Sequence, residues 1–376
     1  MTKTRIWKPD DLIRVARREN NQKRSFLYVD PYQGKHIPVS PAEALSLFGA
    51  LAGKVAETYP DETLLIIGFA ETATAIGNAI AYYLNDAAAF LTTTRENVEG
   101  ASYLYFSESH SHATEQRLVL NGLEEQIARV DRIVFAEDEV TTGKTIAKAI
   151  RVLREQFPDR ELHFGIASLL NSMSEENLRS FAEQGIACTY IARIPFGYRI
   201  DETEEYVYTP HLIEPFRPEH ICIDRTEFHS DWEQRRATDA ELLNDTCDRF
   251  VQEMLPLGQG HKHILVLGTQ EFMFPGLILG AALEDQGHTV RFHATTRSPI
   301  DVSENPRYPL HHRFPLCSFY EEDRRTFIYD LQRYDEVLLV TDAPEISQAG
   351  LDSLSGALES CGNTHITLIH WKRGNA

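Results

Sequence analysis

The chain is poor in cysteine and spreads it thinly: Cys188, Cys222, Cys247, Cys317 and Cys361 form no CxxC pair. Reduced thiols fit that spacing better than a disulfide framework or a zinc site. No apolar run approaches a membrane span, and the opening MTKTRIWKPDDLIRVARREN is too charged for a secretory core, so a cytoplasmic protein with no membrane partner is expected. Bases are scarce as well. With 37 Lys and Arg against 56 Asp and Glu, a formal charge of -19, a nucleic-acid surface is not expected, although a local basic pocket can still hold a small anion. There is no Pro/Gly or Gln/Asn tract of the kind that marks disorder. What is present is globular: 376 residues, 42% hydrophobic, enough for two domains.

LLIIG at 64–68, AAAFLTTT at 87–94, RIVFAED at 132–138 and LHFGIASLL at 162–170 are short apolar runs without alternation, separated by helix-like stretches. That is the pattern of a parallel sheet covered on both faces, an α/β domain. Ile146, Ile150, Leu153 and Phe157 mark one apolar helix face, leaving Lys144, Lys148, Arg151 and Arg154 to solvent. A second set follows a polar interval around 225–240: HILVLG at 263–268, TVRFHATT at 289–296, DEVLLVTD at 335–342 and HITLIHW at 365–371. The boundary falls within 215–250, giving domains at 1–220 and 221–376.

The two sets repeat each other. Gly68 and Glu71 stand opposite Gly268 and Glu271, the next strands end in Thr93-Thr94-Arg95 and Thr295-Thr296-Arg297, and DRIVFAED faces DEVLLVTD. Arg95 to Asp138 is 43 residues and Arg297 to Asp342 is 45. Ordered identities at near-constant spacing point to two domains of related topology, the second a degenerate duplicate. Buried parallel strands drawing on the same aliphatic alphabet are the plainer alternative.

RIVFAEDEVTTGKTIAKAI, at 132–150, carries the most chemistry. Glu137 and Asp138 lie at the carboxyl edge expected to hold ligands in open α/β folds. Adjacent strand residues face opposite ways, so both reach one ligand only if the chain turns there. Thr141, Thr142, Gly143, Lys144 and Thr145 offer amides, hydroxyls and a helix start to an anion. Hydroxyls to the acids and phosphate to the threonine loop together fit a phosphorylated polyol. A P-loop would need glycine five positions before Gly143, where Asp138 stands. Simple capping threonines and solvated acids are the bland alternative.

VFAEDEVTTGKT resembles the phosphoribosyl-diphosphate motif of type I phosphoribosyltransferases. The resemblance implies that Glu137 and Asp138 hold the ribose 2- and 3-hydroxyls and that Thr141 to Thr145 cradle the 5-phosphate. GFAETATAIG at 68–77 resembles the family's diphosphate loop, with Ala70, Glu71 and Thr72 at its turn and Glu71 orienting the loop or meeting a magnesium hydration shell. With YVDPYQGKHIPV, these segments resemble an orotate-phosphoribosyltransferase-like subgroup over 25–200. Gly34-Lys35-His36 is read either as part of the hood or as a surface turn.

The resemblance also implies a flexible catalytic loop in SESHSHATEQ at 107–116. Arg95, His110 and His112 are the groups expected to stabilise diphosphate as it leaves, or to handle the acceptor's proton. Mg2+ is the implied cofactor, held by diphosphate, ribose hydroxyls and water, with no metal ligand assigned directly. Phosphoribosyl diphosphate or a nucleotide and a nitrogenous or aromatic small-molecule acceptor are the expected partners; homo-oligomerisation stays open. HATTRSPI at 293–300 resembles the TRSP domain that follows such transferase domains in bacterial proteins of tellurium-resistance and stress gene clusters, covering 220–376 and implying a nucleoside-like metabolite pathway. Glu271, Arg297 and Ser298 form a candidate ligand site there. APEISQAG stands where TTGKT stood, so a second transferase site is not expected. A catalytically inactive nucleotide-binding scaffold or regulatory protein is the competing expectation.

Overall fold

The computed structural model describes residues 5–19, 24–106, 116–257 and 262–374. The chain divides into two compact units: Ser46–Tyr198 with Asp231–Asp248, and Met1–Leu45 with Arg199–Ser230 and Arg249–Ala376. One cut at residue 220 does not separate them, because each unit borrows chain from the other side of it. No helix among the described residues is long and apolar enough to cross a membrane.

The first unit is built on a sheet ordered Thr238–Asp239, Ala88–Thr92, Leu64–Gly68, Arg132–Val140, His163–Asn171 and Ala187–Arg193. Its last five strands are parallel, and the two-residue edge strand runs antiparallel to Ala88–Thr92. Leu64 to Ile67 and Phe90, Val134, Phe135 and Ile166 are all within 1% of full burial, which is why these runs read as continuously apolar. Phe135 stacks on Phe164 at 6.1 Å. The helix Lys144–Gln156 buries Ile146, Ala149, Ile150 and Leu153, the face expected from their spacing.

The second unit is also a doubly covered parallel sheet, ordered Cys222–Ser230, His365–Arg373, Glu336–Thr341, His263–Gly268 and Thr289–Ala294. Cys222–Ser230 lies in the interval read from sequence as a polar boundary. It is an edge strand in which Asp224, Arg225 and Glu227 are exposed, so it carries no apolar run. The hairpin Arg14–Arg17 and Phe26–Val29 contributes Ala16, Leu27 and Val29 to a core with Ile300, Val302, Tyr308, Leu310, Phe327 and Tyr329. Segment 34–39 runs beside Thr289–Ala294: Val39 bridges Phe292, and Gly34 at φ +73 leaves no space for a Cβ against the Phe292 ring. Lys35 is fully buried, donating to the carbonyls of Gln270 and Thr295, so the surface-turn reading of Gly34-Lys35-His36 does not hold.

Candidate active site

Two neighbouring strands of the first sheet end at different heights. Gly68 is the last residue of its strand and pairs with Ala136, whereas the adjoining strand continues to Val140. The acids therefore do not end their strand, as the sequence suggested; the turn follows at 141–143. Glu137 to Val140 overhang the shorter strand, and Phe69 N–H donates to Ala136 O at the step. The chain does not turn at the acids, so alternation sends Glu137 and Glu139 to one face and Asp138 to the other; what lets both border one ligand is the edge left open beyond Gly68, where the longer strand has no neighbour on that side. Ser172 Oγ donates to Glu139 at 2.9 Å, which occupies the third acid structurally.

Glu137 keeps a little solvent contact. Burial, then the neighbouring Asp138, push its pKa well above the usual carboxylate range; Arg95 opposes this and Glu139 adds to it. Arg95 and the paired acids thus act on one another at the same edge.

After Val140, Gly143 takes φ +70 at the N-cap, and an added Cβ would stand 2.4 Å from the Phe181 ring. Only glycine suits both demands. The helix begins at Lys144 with no side-chain cap, and Lys144 N–H reaches Thr142 Oγ1 only at 3.4 Å. Thr142, Lys144 and Thr145 are exposed, Thr141 is half-exposed and Gly143 buried, so the turn's threonines are open to solvent at a helix start.

On the shorter strand, Gly68 and Gly77 let the following helix approach closely: a Cβ on Gly68 would meet Ala73 O at 2.8 Å, and one on Gly77 would meet Gly68 Cα at 2.8 Å. Between them the Ala70–Glu71 peptide is cis. Ala70 and Glu71 are buried and Thr72 half-exposed. A ring of hydrogen bonds fixes this turn. Ala70 N–H donates to Thr93 Oγ1 at 2.8 Å, Thr93 Oγ1 donates to Gln116 Oε1 at 2.9 Å, and Gln116 Nε2 donates back to Ala70 O at 2.7 Å.

Sequence reasoning missed Gln116, which it had placed inside a polar loop, and Arg235, whose Nε donates to Thr94 Oγ1 at 3.2 Å. Neither carries a motif; only the fold brings them to the Thr93-Thr94-Arg95 strand end. The structure gathers Ala70, Glu71, Thr72, Arg95, Glu137, Asp138 and the 141–145 turn at one edge of the first sheet. His110 and His112 lie outside the described residues. Glu271, Arg297 and Ser298 sit at the corresponding edge of the second sheet, where Arg297 faces the fully buried Glu271 at 3.6 Å and Ser298 O accepts from the Tyr329 hydroxyl at 2.7 Å. No group of three or more His, Cys, Asp or Glu among the described residues has metal-binding geometry.

Residues 12–194 match a family described as phosphoribosyl transferase (PRTase_2), and residues 231–358 match the TRSP domain found C-terminal to it. No curated protein matches the chain. Among solved structures, it is similar to adenine phosphoribosyltransferase from Rhodothermus marinus, at 15% identity over 49% of this chain and 96% of that one, TM-score 0.34. It is similar also to the Giardia lamblia adenine enzyme complexed with 9-deazaadenine, at 16% identity over 49% and 94%, TM-score 0.34. The orotate phosphoribosyltransferase of Aeropyrum pernix aligns at 17% identity over 50% and 92%, TM-score 0.32. The chain thus joins an enzyme domain of the phosphoribosyltransferase family at 12–194 to a TRSP-family domain.

Proposed function

We propose that the first unit transfers a phosphoribosyl group between phosphoribosyl diphosphate and a nitrogenous or aromatic acceptor. The observation that supports this most is the stepped strand edge, where an acid pair and an uncapped threonine turn stand beside a glycine-flanked loop. Glu137 and Asp138 take the ribose hydroxyls, the turn from Thr141 to Thr145 takes the 5-phosphate, and the loop at Ala70, Glu71 and Thr72 takes the diphosphate. One small substrate is then held at both ends.

Transfer breaks the C1–O bond to diphosphate and forms a bond from C1 to the acceptor, whose nitrogen gives up its proton. Negative charge grows on the leaving group, and Arg95 beside the acid pair is placed to offset it. Mg2+ suits an acid-lined edge that offers no protein cage among the described residues. It would be carried on the diphosphate and ribose oxygens, supply charge neutralisation there, and meet Glu71 through water. Holding the sugar by two acids also keeps C1 fixed while the bond to diphosphate lengthens. As part of the same proposal, the transfer serves synthesis of a nucleoside-like metabolite.

The test is diphosphate release from phosphoribosyl diphosphate and Mg2+ across a panel of purine, pyrimidine and pyridine acceptors. Release that depends on one acceptor and disappears in Asp138→Asn supports transfer. Tight nucleotide binding with no release from any acceptor would instead make this a scaffold.

A further inference from the structure

The TRSP unit repeats the sheet framework of the first unit and several of its hydrogen bonds. Each core sheet is five parallel strands in the same spatial order, and each chain path inserts a hairpin at the matching place: Tyr103–Tyr105 with Arg117–Val119 between Ala88–Thr92 and Arg132–Val140, and Arg313–Cys317 with Arg325–Tyr329 between Thr289–Ala294 and Glu336–Thr341. Thr93 N–H donates to Gly68 O and Thr295 N–H to Gly268 O. Ala70 N–H donates to Thr93 Oγ1 at 2.8 Å, and Gln270 N–H to Thr295 Oγ1 at 2.9 Å. Thr94 and Arg117 exchange backbone hydrogen bonds, as do Thr296 and Phe327. Asp131 accepts the Thr63 amide and Asp335 the His263 amide, both at 2.8 Å.

Register fixes the equivalences. Gly68 pairs with Ala136 and Gly268 with Val340, which sets Thr341 at the place of Glu137 and Asp342 at the place of Asp138. The TRSP motif itself is therefore the counterpart of the first unit's Thr94-Arg95 strand end. One difference is in chain order: the fifth strand, Cys222–Ser230, precedes its sheet, whereas Ala187–Arg193 follows its own.

What changes is the edge that would hold a sugar phosphate. Thr341, fully buried, accepts from Thr269 Oγ1 at 2.8 Å, and the Tyr320 hydroxyl lies 2.9 Å from the same Thr269 Oγ1 and donates to Asp342. Ser318 donates to Gln270 Oε1, a side chain that stands where the first unit has Ala70, and Lys35 donates to the carbonyls of Gln270 and Thr295. The threonine turn is replaced by Ala343-Pro344-Glu345-Ile346, in which Pro344 offers no N–H and Glu345 adds a charge of the wrong sign. The next helix is capped by its own Ser347, which accepts from Gly350 N–H at 3.1 Å. In the first unit the matching helix start has no such cap.

We propose that the TRSP unit is a second copy of the phosphoribosyltransferase fold whose substrate edge has been closed by its own side chains, leaving one phosphoribosyl site per chain. The site count rests on the function proposed above; the closure does not. Calorimetric titration of the full chain with phosphoribosyl diphosphate and Mg2+ is expected to give one site per chain, lost in Asp138→Asn and kept within about twofold in Asp342→Asn, a change of less than roughly 0.4 kcal/mol. Two sites, or loss of binding in Asp342→Asn, would overturn the proposal. A thermal melt of Tyr320→Phe tests closure without substrate. Removing a hydroxyl from a closed network should lower Tm by roughly 2–4 °C, whereas at a ligand-ready site the same change leaves Tm level or raises it. If the wild type binds no phosphoribosyl diphosphate, the function reading fails, and the melt alone decides for or against closure.

Discussion

Gly143 combines a left-handed backbone with a Phe181 ring 2.4 Å from where a methyl would go. Gly143→Ala should therefore cost about 1–3 kcal/mol of stability and weaken phosphoribosyl diphosphate binding, read by a thermal melt and a titration on the same sample. Gln116 offers a cleaner separation. Gln116→Ala removes both side-chain bonds of the ring that fixes the Ala70 turn, and Gln116→Glu removes only the donor to Ala70 O. Both should weaken binding, the alanine variant by roughly tenfold, about 1.4 kcal/mol; full retention in both would remove Gln116 from the site. Glu137 sets a pH dependence. Its folded-state pKa lies well above the usual carboxylate value, so the folded state binds the extra proton. Stability then falls as pH rises from the unfolded carboxylate pKa through the folded one. Glu137→Gln should flatten that fall and raise Tm on its alkaline side, and an unchanged Tm-versus-pH curve would contradict the assignment.

At the scale of elements, what was legible in sequence is what burial makes apolar. The strands at Leu64–Gly68, Arg132–Val140 and His263–Gly268 and the helix Lys144–Gln156 announce themselves because both faces of a sheet, or one face of a helix, must be covered. Gly143 was legible for a related reason, since close approach or a positive φ leaves few alternatives, whereas Gly68 read only as a strand end. Edge elements were not. Cys222–Ser230 and Thr238–Asp239 pair on one side only, so their polar residues hide them. Gln116 and Arg235 reach the site through tertiary contacts that no local pattern encodes. For Gly34-Lys35-His36 the sequence left hood and surface turn open, and burial removes the second, because Lys35 holds two carbonyls just beyond strand ends of the second sheet. Lys35→Met leaves those carbonyls unsatisfied and should lower stability by about 1–3 kcal/mol, measured by denaturant unfolding.

Across the whole molecule, the units interleave in sequence. The first draws its edge strand Thr238–Asp239 from beyond residue 220, and the second draws its hairpin and Lys35 from the first 45 residues. A fragment ending at residue 220 should therefore be less soluble and melt lower than the full chain, because it strands the apolar faces of Leu27 and Val29 and uncovers Ala88–Thr92. Two parallel sheets of the same strand order fit the duplicated fold proposed above, with the threonine turn at one edge and Ala343-Pro344-Glu345 in its place at the other. The most direct measurement of the central claim is calorimetric binding of phosphoribosyl diphosphate with Mg2+ to the wild type and to Asp138→Asn. Saturable wild-type binding that Asp138→Asn abolishes is the expected result; no wild-type binding, or equal binding by both, would contradict it.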